Sequence, residues 1–253
     1  MKKPDIMKHK AALVVALALV FASCSGQITG VLREDGSADI AIQSGLPPSV
    51  ATLISVASGG AGSILDAQTI ALSIRNARGV KSASMRNITP SSIDGSVSVS
   101  QANDFFALPG AYGGRTQRLI TYEQTTGGGG RLSIALNRAT APQFVSLLSP
   151  DAEDYLSCLM APGLTTDWQY IQTKAEYIRQ LRATYNTLRN NRGLGNTLAS
   201  ELESATITLA LDFPGVIRSV RGGTFSSKRA EFAVPVIDLL TLEKPLAYEV
   251  VWE

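Results

Sequence analysis

Ile28-Thr29-Gly30-Val31-Leu32-Arg33-Glu34-Asp35-Gly36-Ser37-Ala38-Asp39-Ile40-Ala41-Ile42 reads as two short strands around a turn. Ile28, Gly30 and Leu32 alternate with their neighbours on the first arm, and Ala38, Ile40 and Ile42 do so on the second. A period of two places each set on one face of a strand. Glu34-Asp35-Gly36-Ser37 supplies the turn, since glycine takes positive φ without steric cost. The same alternation closes the chain, with Ile207, Leu209 and Leu211 in 206–213 and Leu246, Tyr248, Val250 and Trp252 at the end. Between them, 216–221 and 229–234 read as a hairpin across Gly222-Gly223, and 236–242 as a short helix or turn.

Further strands are expected over 80–88 and 95–101. A hairpin of 118–124 with 131–138 follows, in which Ile120 and Tyr122 oppose Leu132, Ile134 and Leu136. Helical spacing appears in 49–58 (Val50, Leu53, Ile54, Ala57) and 63–77 (Ile64, Ala67, Ala71, Ile74). Gly59-Gly60-Ala61-Gly62 separates these two. It follows no strand and lacks a Lys-Ser/Thr pair, so it is a helix break rather than a phosphate loop.

The stretch from about 140 to 203 is mainly helical. It contains short helices over 142–148 and 152–160, a long one over 166–191, and a shorter one over 196–203. Trp168, Ile171, Ala175, Ile178, Leu181, Tyr185 and Leu188 form one apolar stripe on the long helix. Thr166 or Asp167 is the expected cap and Gly193 the stop. The class is therefore α+β: an antiparallel sheet built from N- and C-terminal hairpins, packed on a helical middle segment, in one domain over 24–253.

Upstream of the hairpin the chain carries an address. Lys2, Lys3, Lys8 and Lys10 precede an unbroken apolar run over 11–22, and small residues follow. This is the layout of a secretory signal over 1–23. The run is 12 residues, whereas a spanning helix needs about 20. Phe21-Ala22-Ser23-Cys24 resembles a bacterial lipobox, with Phe where Leu is usual. In that family, cleavage falls just before the cysteine and its thiol takes a diacylglyceryl group. Cys24 is accordingly the expected lipidation site. Plain cleavage after Ala22 is the alternative. The expected location is the cell envelope, outside the cytoplasm, with a membrane as partner through the lipid.

The signal takes four Lys and one Asp from the 23 basic and 21 acidic residues, leaving 19 against 20 and a net charge of −1. Nucleic-acid binding loses its overall electrostatic support. His9, the single histidine, also lies in the signal. The remainder can build neither a Ser-His-Asp triad nor a His-ligated zinc site. No catalytic residues, cofactor or metal are expected. Cys158 sits in apolar Leu156-Ser157-Cys158-Leu159-Met160 and reads as a buried thiol, without a disulfide partner if Cys24 is acylated.

Other clusters have plain explanations. Asp151, Glu153 and Asp154 suit the first turn of a helix, and Glu201 and Glu203 a polar helix face. Arg218, Arg221, Lys228 and Arg229, with Thr224, Ser226 and Ser227, read as a solvated hairpin end or as contacts for anionic headgroups. Arg179, Arg182, Arg189 and Arg192 on the long helix read the same way. Trp168, Tyr170, Tyr177 and Tyr185 pack a core or wall an apolar cavity.

Cys24, the Asp35-Gly36-Ser37 hairpin, Leu211-Asp212-Phe213-Pro214-Gly215, and Val234-Pro235-Val236-Ile237-Asp238-Leu239-Leu240 running on to Trp252 together resemble the LppM-like lipoprotein domain. The resemblance implies an α+β envelope domain that recognises lipids or glycolipids, and it carries over no defined site residues. Members often carry a transmembrane helix after the domain, and no such run follows here. The functional expectation is a non-enzymatic lipid- or glycolipid-binding lipoprotein. A structural or assembly lipoprotein contacting other envelope proteins is the alternative. An enzyme using carboxylates or a Ser-Lys pair ranks last.

Overall fold

Strands β1 (Ser25–Leu32) and β2 (Ala38–Gly45) form the opening hairpin, with Ile28 opposite Ile42 and Leu32 opposite Ala38. Asp35 fixes its turn. The carboxylate accepts from the Ser37 N–H at 2.9 Å and the Ser37 hydroxyl at 2.6 Å, while Gly36 reverses the chain at φ +81°. The computed structural model describes residues 25–57, 65–76, 79–102, 119–125, 127, 129–141, 159, 172–187 and 193–253.

The hairpin lies in a seven-stranded sheet of order β3-β4-β2-β1-β7-β10-β9. Its other strands are β3 (Val80–Thr89), β4 (Ser92–Val99), β7 (Thr206–Asp212), β9 (Thr224–Ser226) and β10 (Arg229–Pro235). All its pairings are antiparallel except β1 with β7, where Ser25 lies beside Thr206 and Gly30 beside Leu211. A four-stranded antiparallel sheet, order β5-β6-β11-β8, holds β5 (Ile120–Gln124), β6 (Gly130–Leu136), β8 (Ile217–Arg221) and β11 (Leu246–Trp252). The α+β class and the mainly antiparallel pairing match the expectation.

One expected hairpin is not made. Strand β8 does not pair with β10 across Gly222-Gly223; it pairs with β11, Val220 opposite Val250. At Gly222 (φ +79°) the chain passes from the smaller sheet to the larger, and β9 then turns into β10 at Ser227 (φ +53°). Alternation shows that a segment is a strand but not which neighbour it takes. Here β11 offered an open side opposite the one filled by β6.

Five helices complete the described residues: α1 (Pro48–Ala57), α2 (Ala67–Arg75), α3 (Lys174–Asn186), α4 (Leu194–Ser204) and α5 (Val236–Thr241). The long helix begins at Lys174, not near 166. Gln172 and Thr173 are non-helical, and Thr173 makes the cap with Glu176 in a reciprocal capping box. The Thr173 hydroxyl accepts from the Glu176 N–H at 3.2 Å, and the Glu176 carboxylate accepts from the Thr173 N–H at 2.9 Å. Having a carboxylate three residues on makes Thr173 a better cap than Thr166 or Asp167. Gly193 (φ +92°) opens α4 instead of ending α3, which closes at Thr187. The helices expected over 142–148 and 152–160, with Cys158, Trp168 and Tyr170, fall outside the described residues.

Helices α3 and α4 approach closely at Gly195, where a Cβ would come within 2.8 Å of the Arg182 carbonyl oxygen. Tyr177, Leu181 and Tyr185 point from α3 into the core with Leu198 and Leu202 of α4 and Ile207 of β7. Trp252 of β11 is only 1% exposed and joins the sheets. Its ring centroid lies 4.8 Å from that of Phe213 and 5.8 Å from that of Tyr122.

Exposed ion pairs cross the sheet surfaces. Arg33 bonds Asp39, which also accepts from Ser98 at 2.7 Å, and Arg131 bonds Glu249 through Nε at 2.9 Å. These bonds hold the Asp39 and Glu249 carboxyls below their usual range. A folded value below the unfolded one means stability that is present above about pH 4 and lost as the pH falls through the folded value. Thermal melts from pH 7 to 2 are therefore expected to show a declining midpoint below about pH 4, and Glu249→Gln is expected to flatten part of that decline.

Candidate functional site

Helix α3 presents two faces. Inward, Tyr177 and Leu181 are fully buried, and the Tyr177 hydroxyl donates to the Leu159 carbonyl at 2.7 Å. At Tyr177, Ile178, Leu181 and Tyr185 the stripe packs in the core, while Trp168, Ile171 and Leu188 lie outside the described residues. Outward, α3, the last turn of α4 and the first turn of α5 enclose an open groove of about 640 Å³. Ala175, Ile178 and Ile237 form its apolar floor, and Lys174, Arg179, Arg182 and Glu203 its charged rim.

The groove's place in the fold follows from register. Ser25 pairs with Thr206, and Thr206 with Pro235. Glu203 lies three residues before Thr206 and Ile237 two after Pro235. Lys174 is ion-paired with Asp238, and its N–H donates to Glu243 at 2.9 Å. Arg182 meets Glu203 at 3.4 Å. These links hold the groove at the Ser25 end of the large sheet, the end at which Cys24 joins the domain.

The hairpin cations lie elsewhere. Arg229 pairs with Asp212, itself beside Val31, so it sits six residues along β1 from Ser25, about 20 Å at the usual rise of a strand. Arg229 bonds Asp212 and Glu231 at 3.0 Å each, Arg218 bonds Glu253 at 2.7 Å, and Lys228 donates to the Pro214 carbonyl at 2.6 Å. Arg221 faces Glu249 in register. Arg218 and Arg229 are thus ion-paired, and Arg229 lies at the far end of β1 from Ser25.

Of the expected carboxylate clusters, Glu201 and Glu203 separate. Glu203 belongs to the groove. Glu201 is half-buried and sits at the N-terminus of α1, accepting from the Ser49 N–H at 3.2 Å and from the Ser49 hydroxyl. An anion there answers the unpaired N–H groups and the helix dipole. Glu201→Ala is expected to cost about 2 kcal/mol of stability, as removing a charged hydrogen-bond partner does, measured as a lower urea midpoint with an unchanged slope. Asp151, Glu153, Asp154, Arg189 and Arg192 lie outside the described residues, as does Cys24.

Among the described residues, titration that is shifted moves away from neutrality. Asp35, Asp39, Asp66, Glu176 and Glu249 are all held low by hydrogen bonds. Burial pushes the Tyr122 hydroxyl up to about 12 and Tyr248 upward as well. Among the described residues no group of three or more His, Cys, Asp and Glu side chains could hold a metal ion. Nor is any helix there long and apolar enough to cross a membrane.

Sequence reasoning missed the groove because three segments distant in the chain build it. Arg179 and Arg182 were visible, but their company with Ile237 was not.

No protein-family model matches the chain, and no curated protein matches it. A solved structure is similar to it. This is the NMR structure of the folded domain of LppM from Mycobacterium tuberculosis, at 10% identity and a TM-score of 0.40, covering 90% of this chain and 88% of that one.

Proposed function

We propose that the protein is an envelope lipoprotein, anchored through lipid on Cys24, whose domain binds a lipid or glycolipid at the membrane surface without catalysing a reaction. One observation carries this reading: β1 begins at Ser25, one peptide bond beyond Cys24, and runs between β2 and β7. A strand paired on both sides has no slack at its first residue. A lipid on Cys24 would therefore hold the Ser25 end of the sheet, with the groove beside it, at the headgroups. An apolar floor under charged residues suits an amphiphile. The non-enzymatic part is supported by the shifted groups, since a general acid or base needs a pKa moved toward neutrality and these move away from it.

The test is native mass spectrometry of the full chain extracted from membranes in mild detergent. Co-purifying lipid, or uptake of added lipid in defined stoichiometry, is expected. Bare protein that takes up none would sink the reading.

The second reading, a structural or assembly lipoprotein, is favoured by Ile88 and Phe225. Both are about half exposed on β3 and β9, the two edge strands of the large sheet. Photo-cross-linking from position 225 in intact cells is expected to capture a neighbouring protein if that reading holds, and to capture none if it does not.

A further inference from the structure

The two ends of the large sheet differ in charge. At the Ser25 end the chain passes through Leu46-Pro47-Pro48, Pro90-Ser91, Ser204-Ala205 and Val236-Ile237, none of them charged. At the opposite end it passes through Arg33-Glu34-Asp35 and Lys228. Charged side chains beside the first set are partnered. Asp66 accepts from the Gln68 and Thr69 N–H groups at the start of α2, and Glu201 from Ser49 at the start of α1. Glu203 meets Arg182, Asp238 meets Lys174, and Asp94 meets Arg86.

Ile88 stands at this uncharged end and is 55% exposed. Ser25 lies opposite Gly45, Gly45 opposite Ser92, and Ser92 opposite Thr89. Ile88 is therefore one residue from the row of Ser25 and three strands away, about 15 Å at the usual strand spacing. Asn87 faces Ile93 and Thr89 faces Ser92, so Ile88 is an extra residue in the ladder. Such a bulge re-aims its side chain. Both neighbours are pinned. The Asn87 amide donates to the Leu65 carbonyl at 2.6 Å and accepts from the Ala67 N–H at 3.3 Å. The Thr89 hydroxyl lies 2.7 Å from that of Ser92 and accepts from the Ser91 N–H at 3.3 Å. Ile88 is thus held out from the sheet by a fixed backbone.

We propose that Ile88 and the turn at Pro90 touch the bilayer that holds Cys24, as a second, apolar point of contact for the domain. The inference rests on the anchor in the reading above and adds the surface by which the domain meets the membrane. One peptide bond separates Cys24 from β1, so a lipid there brings the row of Ser25 to the interface, and Ile88 with it. Moving an isoleucine from water into the interface is favourable. The uncharged connections around it have no ionic solvation to lose. The occupant is the bilayer rather than a protein because the short link to Cys24 brings the bilayer to this site. Two contacts about 15 Å apart also limit how far the domain tilts.

The test is tryptophan fluorescence of the full chain, purified from membranes and returned to vesicles of phosphatidylcholine brominated high on its acyl chains. Ile88→Trp is compared with the parent, with Ser84→Trp four residues back on β3, and with Lys228→Trp at the far end of the sheet. Pro90→Trp reads the same turn should the bulge not accept the larger ring. The mass of the Cys24 peptide is read in the same samples. Emission from the Ile88→Trp or Pro90→Trp chain is expected to be quenched beyond that of the parent, and emission from the Ser84→Trp and Lys228→Trp chains to match it. Equal quenching at all positions would report the tryptophan and not the site, and overturns the inference. A blue-shifted, unquenched Ile88→Trp chain would mark contact with a second copy and overturns it too. No quenching at 88 or 90 with an acylated Cys24 peptide overturns the inference and leaves the anchor standing. Quenching at 88 with an unacylated peptide keeps the contact and removes the anchor. An unacylated peptide without quenching removes both.

Discussion

Trp252→Ala lowers the stability of the domain by about 3–5 kcal/mol, the range for truncating a buried large aromatic. The structural reason is specific to this fold. Trp252 is the last residue of β11 and is 1% exposed. Its indole stacks at a tilt on Phe213, which follows β7 of the large sheet, and on Tyr122, in β5 of the small one. Gly130, opposite Trp252 in register, leaves room for the indole, since a Cβ there would run into the ring. Removing the ring leaves a cavity bounded by both sheets, and paired backbone limits how far they can collapse into it. Domains of this size are stable by about 5–15 kcal/mol, so the variant is expected to be marginal. Denaturant unfolding followed by Phe and Tyr environment measures it. A loss below about 1 kcal/mol would show that the sheets do not depend on this contact. Trp252→Phe, which keeps part of the volume, is expected to recover much of the loss.

How much of this was legible in the sequence differs from element to element. The β1–β2 hairpin could be read because its turn and both strands lie within 21 residues, and Asp35 and Gly36 have only one local use. Strand β11 was legible as a strand, but its partners were not. Pairing with β6 and β8 is a choice among exposed edges made after collapse, and alternation is silent about it. The same blindness misplaced the C-terminal hairpin. The start of α3 was misread for a different reason. Several residues upstream can cap a helix, and only the reciprocal bond between Thr173 and Glu176 selects one of them. The groove was hidden entirely, since Glu203, Ile237 and Arg179 meet through the registers of β1, β7 and β10. Cys24 was the opposite case, a site readable in the sequence and lying outside the described residues.

Cys24→Ala is expected to abolish incorporation of a fatty-acid label and to move the processed protein from the membrane to the aqueous fraction. The magnitude follows from the chemistry of the anchor. Each buried methylene contributes about 0.8 kcal/mol, and one acyl chain alone binds only reversibly, so stable attachment needs the two chains of a diacylglyceryl group or an added signal. The domain surface supplies little substitute, since at the far end Arg218 is ion-paired with Glu253 and Arg229 with Asp212 and Glu231. Label retained in the alanine variant would place the lipid on another residue. A wild-type chain whose mature N-terminus is Ser23 would favour cleavage after Ala22 and no lipid at all. Geometry adds a second expectation, separable from the first. Inserting ten Gly and Ser residues between Cys24 and Ser25 keeps the thiol and its signal but adds a flexible tether with an end-to-end distance of about 17 Å. Label incorporation is then expected to persist while hydrogen-exchange protection of the groove amides 174–182 by membrane lipid falls. If the protection survives the tether, the groove finds its lipid by affinity alone, and the direct joining of Cys24 to β1 does not serve to place it.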